Sequence, residues 1–507
     1  MELQIPSISF ILISVLFFFL LKARAQFQRT KWPPGPTQLP IIGSMHHLFT
    51  KSRPHRVLQD LSLQYGPLMH LKLGELNVIV ASSPEMTKAV TMTHDINFAF
   101  RPDTAAGRIL TYDNTSISSA PYGGYWRQMR KICILELLSA QRVKAFHPIR
   151  AEELGHLMLR ITAANGSPIN LTWELLRFTN AMTSKALFGV ECNQLGVRFI
   201  VAVKKLLELF SAFNIADYFP SLSFMERLTG LRSRMMRVRA EMDEIFDQLI
   251  ESHELKKSDM DGCSEEEMEK EGILDALLRV KARGDMEFPL TMDNVKSVLL
   301  DLFTGGTDTS ATTLTWAMVE LMRNPRVMQK AQKEVRQALK DKSSIEEDDL
   351  KDLHYLKLII KETLRLHIPI TLLLPRIAKE ECRIGEYEVP AGTRVLINAW
   401  AMAKDPKSWE NPESFLPERF ERNPVDFKGT NYEFIPFGAG RRMCPGISFG
   451  VANMEIALAQ LLFYFNWELP HGVKAEELDM TENVGVTASR KEDLYLVATP
   501  YAPLPTF

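Results

Sequence analysis

The chain has 507 residues, a net charge of -2 and 24% charged residues, with 46% hydrophobic residues and no internal repeat or low-complexity tract. That length holds one large domain or about two or three average ones with a sizeable core, and the near-neutral charge offers no basic field for nucleic acid. Five scattered cysteines, an odd number, argue against a disulfide framework and for a reducing compartment.

In chain order, Ile5 to Leu21 is an uncharged run, at the short end for a spanning helix. Lys22, Arg24, Arg29 and Lys31 follow it and Glu2 precedes it, an asymmetry that leaves the rest of the chain in the cytosol. Ala23-Arg24-Ala25 also fits a signal-peptidase site, so cleavage is the competing reading. Trp32-Pro33-Pro34-Gly35-Pro36 and Leu39 to Gly43 read as a semi-rigid hinge, because proline fixes φ and restricts its neighbour. The expected division is an anchor at 1–22, a basic and proline-rich hinge at 23–43, and one globular unit at 44–507.

Apolar alternation predicts short strands at Leu68 to Leu73 and Val78 to Val80. Phe98 to Gly124 lacks periodicity and reads as a long loop of the kind that carries function. A helix opens at Trp126, with Trp126 and Arg130 on one face and Arg127 and Lys131 beside it. The latter two fit a docking surface for an acidic partner or an ordinary solvated face. Glu152 to Glu254 reads as helices broken near Asp217 to Ser221, and the apolar run Leu209 to Phe213 fits either core or a lid. Ser258 to Gly272 is an acidic, solvated loop.

Asp293 to Asn324 has the length and periodicity of a long buried helix, yet Gly305 and Gly306 interrupt its middle at about 1 kcal/mol each relative to alanine. Close helix packing would explain them. So would a flat body lying against the helix, since Val298, Leu302, Gly305 and Thr309 fall on one side. Thr309 is placed to bond back to a carbonyl and open the helix locally. Further on, Glu362 and Arg365 are three apart between apolar flanks, which predicts a buried pair. An apolar run from Ile370 to Leu374 ends near Arg376, and Pro417-Glu418-Arg419-Phe420 follows.

Phe434 to Gly450 reads FIPFGAGRRMCPGISFG. Gly438 and Gly440 permit a tight turn, and Pro445 suits the first position of a helix running from Ile447 to Phe463. Cys444 then sits where unpaired backbone amides favour a thiolate. Such a thiolate can be a nucleophile, a zinc ligand or an axial iron ligand; with no second Cys or His at ligand spacing, zinc is the weakest of the three.

The pattern F-x-x-G-x-R-x-C-x-G, filled by Phe437, Gly440, Arg442, Cys444 and Gly446, resembles the haem-ligand signature of the cytochrome P-450 family. Gly305-Gly306-Thr307-Asp308-Thr309-Ser310 resembles its oxygen-activation motif, Glu362 and Arg365 its E-x-x-R pair, and Trp126 with Arg130 its W-x-x-x-R pair. The resemblance implies a mainly α fold, one large helical domain with a small β-rich portion behind an N-terminal transmembrane anchor, and haem b as cofactor. It implies that Cys444 is the axial ligand with Phe437 beside the sulfur, and that Trp126, Arg130, Arg376 and Arg442 meet the haem propionates. Asp308 and Thr309 would relay protons to dioxygen, and Glu362, Arg365 and Arg419 would lock the chain behind the cysteine loop. Relatives often carry two adjacent prolines where this chain has His367-Ile368-Pro369, a departure that bears on the path beside the haem.

The implied activity is that of a haem-thiolate monooxygenase with the overall look of A-type plant microsomal enzymes of specialised metabolism. Its electrons would come from NADPH through a membrane-bound NADPH–cytochrome reductase, since no nicotinamide-binding fingerprint is present. The expected partners are that reductase, the lipid bilayer of the endoplasmic reticulum with the domain on its cytosolic side, dioxygen and a small apolar substrate, with no nucleic acid. Val298, Leu302, Gly305, Ile370, Leu372, Val484 and Val486 are the expected pocket residues, and their apolar character points to an apolar substrate; the resemblance to A-type plant enzymes implies a terpenoid, alkaloid or phenolic. The rivals are a haem-thiolate isomerase that needs no reductase, and a non-enzymatic haem protein. Asp308 and Thr309 argue against the first, and an apolar ceiling argues against the second.

Overall fold

Helices dominate the computed structural model, which describes residues 30–50, 52–189, 195–227, 229–258, 272–284, 286–340, 342, 345–483 and 485–504. The expected anchor, residues 23–29 of the hinge, nearly all of the acidic loop and Val484 lie outside the described residues. The helices that position the site are α1 (Gly124–Ile132), α2 (Leu171–Phe188), α3 (Leu195–Ser211), α4 (Leu231–Ser258), α5 (Met292–Arg323), α6 (His354–Leu366) and α7 (Ile447–Tyr464).

The longest of them, α5, starts where its sequence provides a reciprocal cap. Thr291 Oγ1 accepts from the Asn294 amide at 3.2 Å, and Asn294 Oδ1 accepts from the Thr291 amide at 3.0 Å. It stops at Asn324 because Pro325 cannot continue it and opens the next helix. Its most extensive packing is against α2. There Gly306 makes the close approach, since a Cβ on it would lie 3.0 Å from Thr183 Oγ1. Helix α7 is long and apolar enough to cross a membrane, but α5, α6 and the helix Pro325–Ala338 cover it. Its all-round apolarity is that of a core helix.

The β portion is small. Strands β1 (Leu68–Leu73) and β2 (Leu76–Ala81) form an antiparallel hairpin, β3 is Ile169–Asn170, β4 Arg376–Ile377, β5 Cys382–Ile384, β6 Tyr387–Val389, β7 Arg394–Ile397, β8 Phe465–Glu468 and β9 Tyr495–Pro500. The main sheet has the order β1-β2-β7-β4, with β2 and β7 parallel. Its last strand thereby delivers Arg376 to the site.

Two stretches differ from the reading of the sequence. The proline-rich segment is docked on β1: the Pro34 carbonyl accepts from the His70 amide at 2.9 Å, and Trp32 stacks on His70 at 4.3 Å. Gly35 is required because a Cβ there would collide with the His70 carbonyl. The loop from Phe98 to Gly124 contains a short helix, Ala105–Leu110, capped by the Thr104 hydroxyl accepting from the Gly107 amide at 3.1 Å. The break after α3 is present as a short helix Ile215–Tyr218 and a kinked 3-10 segment Pro220–Arg227.

Glu362 and Arg365 are both fully buried, and Arg365 donates to the Glu362 carboxylate at 2.8 and 2.9 Å. Arg419 Nε reaches both carboxylate oxygens at 3.0 Å, and the Leu416 amide adds a further bond at 2.9 Å. The two arginines also take up the carbonyls of Ala403, Glu410, Asn411, Pro412 and Ser414. One carboxylate on α6 thus organises the backbone of 403–416. Replacing Arg365 by alanine leaves a buried charge short of a partner and is expected to cost about 3–5 kcal/mol in urea unfolding. Lys351→Ala, which removes the exposed pair with Asp348, should cost less than about 1 kcal/mol.

Candidate active site

A cavity of about 750 Å³ runs between α5 and the loop before α7. That loop doubles back because Gly438 and Gly440 adopt left-handed backbone at φ 75° and 68°. A side chain at Gly440 would in addition collide with the Thr91 carbonyl. The Cys444 amide donates to the Phe437 carbonyl at 2.9 Å, closing the turn, and Phe437 packs edge-on against Phe427 at 5.3 Å. Helix α7 begins at Ile447 with Gly446 as its cap, so Pro445 precedes the helix and does not occupy its first position. The Gly446 amide still points at Cys444 Sγ, 3.4 Å away.

Cys444 is exposed to the cavity while protein surrounds it on its other sides. Burial pushes its thiol pKa up, against the Gly446 amide and the Arg130 charge, which pull it down. A thiolate here is therefore best held by a cationic centre inside the cavity.

One edge of the cavity is cationic. Arg101, Arg130, Arg376 and Arg442 all line it together with Trp126. The guanidinium carbons of Arg442 and Arg130 lie 4.2 and 5.4 Å from the Trp126 ring centroid. Trp126 Nε1 donates to the Ile117 carbonyl at 3.0 Å, and Arg130 to the Met443 carbonyl at 2.7 Å. Burial and the neighbouring Arg376 and Arg130 charges bring the Arg442 pKa down to about 9, and burial brings Arg376 down to about 10. Burial and the charges of Arg442 and Arg376 likewise lower Arg101. Arg376 Nη2 donates to the Ala439 carbonyl at 2.9 Å, but its buried Nη1 has no hydrogen-bond partner among the described residues and lies 3.8 Å from Asp95.

Opposite the thiol, Leu302, Gly305, Gly306 and Thr309 line the wall. The two glycines have separate reasons. Gly306 meets Thr183 of α2, whereas a Cβ at Gly305 would meet nothing within 4 Å. Thr309 Oγ1 donates to the Gly305 carbonyl at 2.6 Å. Val298 is a correction. It shares the face of α5 but lies one turn, about 6 Å, beyond Leu302, and is completely buried in the core rather than lining the cavity. Asp308 stands behind the lining, hydrogen-bonded with Thr487, and burial raises its pKa. Ile370, Leu372 and Val486 line the cavity. The path after His367 is settled by the Ala488 amide bonding to the Pro369 carbonyl at 2.8 Å. His367 itself turns away, stacked on Trp316 at 4.1 Å and bonded to Glu320 at 2.8 Å.

Sequence reasoning missed Arg101 and the Asp301–Ser118 contact. An arginine between Phe100 and Pro102, and an acid one turn before Gly305 on the same helix, were the available signals.

The residues fit haem. Apolar walls face each other across the cavity, a lone thiol opens onto one of them, Gly305 leaves a gap in the other, and mutually repelling arginines with a buried unpaired N–H await a dianion. The fold and this site together define a haem-thiolate enzyme.

A family model described as Cytochrome P450 matches residues 33–497. Premnaspirodiene oxygenase of Hyoscyamus muticus is 47% identical over 503 residues, covering 99% of each chain. The 5-epiaristolochene 1,3-dihydroxylase of Nicotiana tabacum is 45% identical over 505 residues, again 99% of each. A solved structure of a zebra fish cytochrome P450 with progesterone aligns with a TM-score of 0.76 at 24% identity, covering 89% of this chain and 100% of that one, and shares its fold. The chain belongs to the cytochrome P450 family and is a monooxygenase that uses haem.

Arg376→Met removes one hydrogen bond, the 3.8 Å pair with Asp95 and the charge that lowers Arg442, terms of opposite sign, so unfolding should change by about 1 kcal/mol. Haem transfer to a scavenging apo-globin should become clearly faster. Gly305→Ala should raise stability by up to about 1 kcal/mol. Gly306→Ala, which must displace Thr183, should unfold at lower urea than Gly305→Ala.

Proposed function

We propose that this P450 inserts one atom of dioxygen into a small, largely hydrocarbon terpenoid, using electrons passed singly from NADPH by a membrane-bound flavoprotein reductase. The observation that carries the reading is the single cavity with a thiol in one wall, an arginine edge, and the Gly305 to Thr309 gap in the facing wall. Relatives named for premnaspirodiene and 5-epiaristolochene support a terpenoid, while one named for desmethyl-deoxy-podophyllotoxin keeps a phenolic as the second reading. The run from Ile5 to Leu21 and the basic residues behind it support a single-pass anchor in the endoplasmic reticulum, with the domain on the cytosolic face.

Bound haem supplies a thiolate-ligated iron that activates dioxygen when given two electrons and two protons. Cys444 Sγ would hold the haem iron, with the Gly446 amide tempering the charge on the sulfur. Arg101, Arg130, Arg376 and Arg442 would hold the two carboxylates, while Trp126, its N–H given to Ile117, backs the Arg130 and Arg442 guanidinium groups with its ring. Thr309 gives its own proton to the Gly305 carbonyl, which leaves its oxygen free to hold a water or a hydroxyl at the cavity wall. Asp308 keeps a proton more readily than an exposed carboxyl and passes it through Thr487, whose hydroxyl lines the cavity. Leu302, Ile370, Leu372 and Val486 exclude water above the reacting carbon.

Cys444→Ser should lose the thiolate-type carbon monoxide spectrum; a variant that keeps it refutes the ligand assignment. Thr309→Ala should bind substrate as before while product formed per NADPH falls at least several-fold. Omitting the reductase should stop turnover, and undiminished conversion without it would support the isomerase reading.

A further inference from the structure

The turn Ser116 to Ala120 lies between the arginine edge and α5 and is hydrogen-bonded to both. On the edge side, Arg101 Nε donates to the Ser118 carbonyl at 2.9 Å. Arg442 donates to the carbonyls of Ile117 at 3.1 Å and Ala120 at 2.6 Å, and Trp126 shares the Ile117 carbonyl. On the α5 side, Asp301 accepts from the Ser118 amide at 2.9 Å and from Ser118 Oγ at 2.7 Å. Arg101 has a second arm: its Nη1 donates to the carbonyls of Leu374 and Pro375 at 2.7 and 2.8 Å.

Ile117, Ser118, Ser119, Asp301, Leu372 and Leu374 all line the cavity. The groups that would hold the cofactor's carboxylates are therefore the same groups that hold the backbone of the substrate ceiling. The turn is tied within itself, Ser116 Oγ bonding with Ser118 Oγ at 2.9 Å and Ser119 Oγ at 2.7 Å, so it moves as one piece, and its outward bonds join the arginine edge on one side to Asp301 of α5 on the other.

We propose that the Ser116–Ala120 turn is a positioning device that couples occupation of the arginine edge to the shape of the substrate ceiling, with Ser118 and Asp301 as its link and Arg101 as its second arm. The inference rests on the reading that haem carboxylates occupy that edge. Asp301 and Ser118 are positioning residues, acting on the substrate through the wall they hold in place.

Hydrogen exchange on the full-length holoenzyme tests this, with the Soret band recording haem content separately. Ser118→Ala and Asp301→Asn should speed amide exchange in 116–120 by about tenfold, the loss of one hydrogen bond to a charged acceptor. Exchange in α7 should stay at the wild-type rate. Ser118→Thr, which keeps the hydroxyl, should restore protection. Arg101→Lys should loosen 116–120 and 371–375 together. Carbon monoxide recombination after flash photolysis should quicken several-fold in Ser118→Ala, because a looser ceiling opens the cavity. Wild-type exchange in both Ser118→Ala and Asp301→Asn, loosening shared by α7, or unchanged carbon monoxide recombination would each overturn the coupling. A wild-type protein that takes up no haem would instead overturn the haem reading.

Discussion

Four guanidinium groups share one edge of the cavity, and among the described residues no bidentate carboxylate partner is among their contacts. Backbone carbonyls accept from their N–H groups but carry no net charge, so burial, joined at Arg442 by the charges of Arg376 and Arg130, lowers the proton affinity of Arg442, and burial lowers that of Arg376. Asp95 offsets only part of it, and burial raises its own pKa. An edge of this kind is stable in use only when a dianion neutralises it. The carbonyls it engages belong to residues 99, 117, 118, 120, 374, 375, 439 and 443. These segments line the cavity or belong to the cysteine loop, so in the proposed reading cofactor binding and cavity shape share one set of hydrogen bonds.

The Glu362 cluster solves the opposite problem. There a single carboxylate is matched by two guanidinium groups and an amide, and the surplus N–H groups are spent on carbonyls of 403–416. The network is closed without any ligand. It can therefore hold the chain leading to the cysteine loop before the cofactor arrives, while the arginine edge waits. Thr309 combines both habits: its proton is committed to Gly305, and its oxygen is left for the cavity.

Local chemistry made much of this visible in advance. Thr291 and Asn294 announce the start of α5, Pro325 announces its end, and the glycines of the cysteine loop announce a turn that only left-handed backbone can make. The buried state of Glu362 and Arg365 followed from their apolar flanks. Proximity across the chain was not readable from spacing. Arg101 and Arg442 are far apart in sequence, and nothing local tells that both reach the turn at 117–120. Likewise, helical periodicity puts Val298 and Leu302 on one face, but where along that face the cavity ends depends on what packs against α5.

The sequence by itself determined the family, the mainly helical architecture and the identity of the lone thiol, because each depends on residues close together in the chain whose backbone demands are local. Only the tertiary structure decided that Gly306 serves the contact with α2 while Gly305 opens the cavity, that Asp308 sits behind Thr487, and that the proline-rich segment is docked on β1. Those outcomes depend on which surfaces meet between segments far apart in the chain. A glycine is the same glycine in the sequence whether its missing Cβ makes room for a threonine or for a ligand.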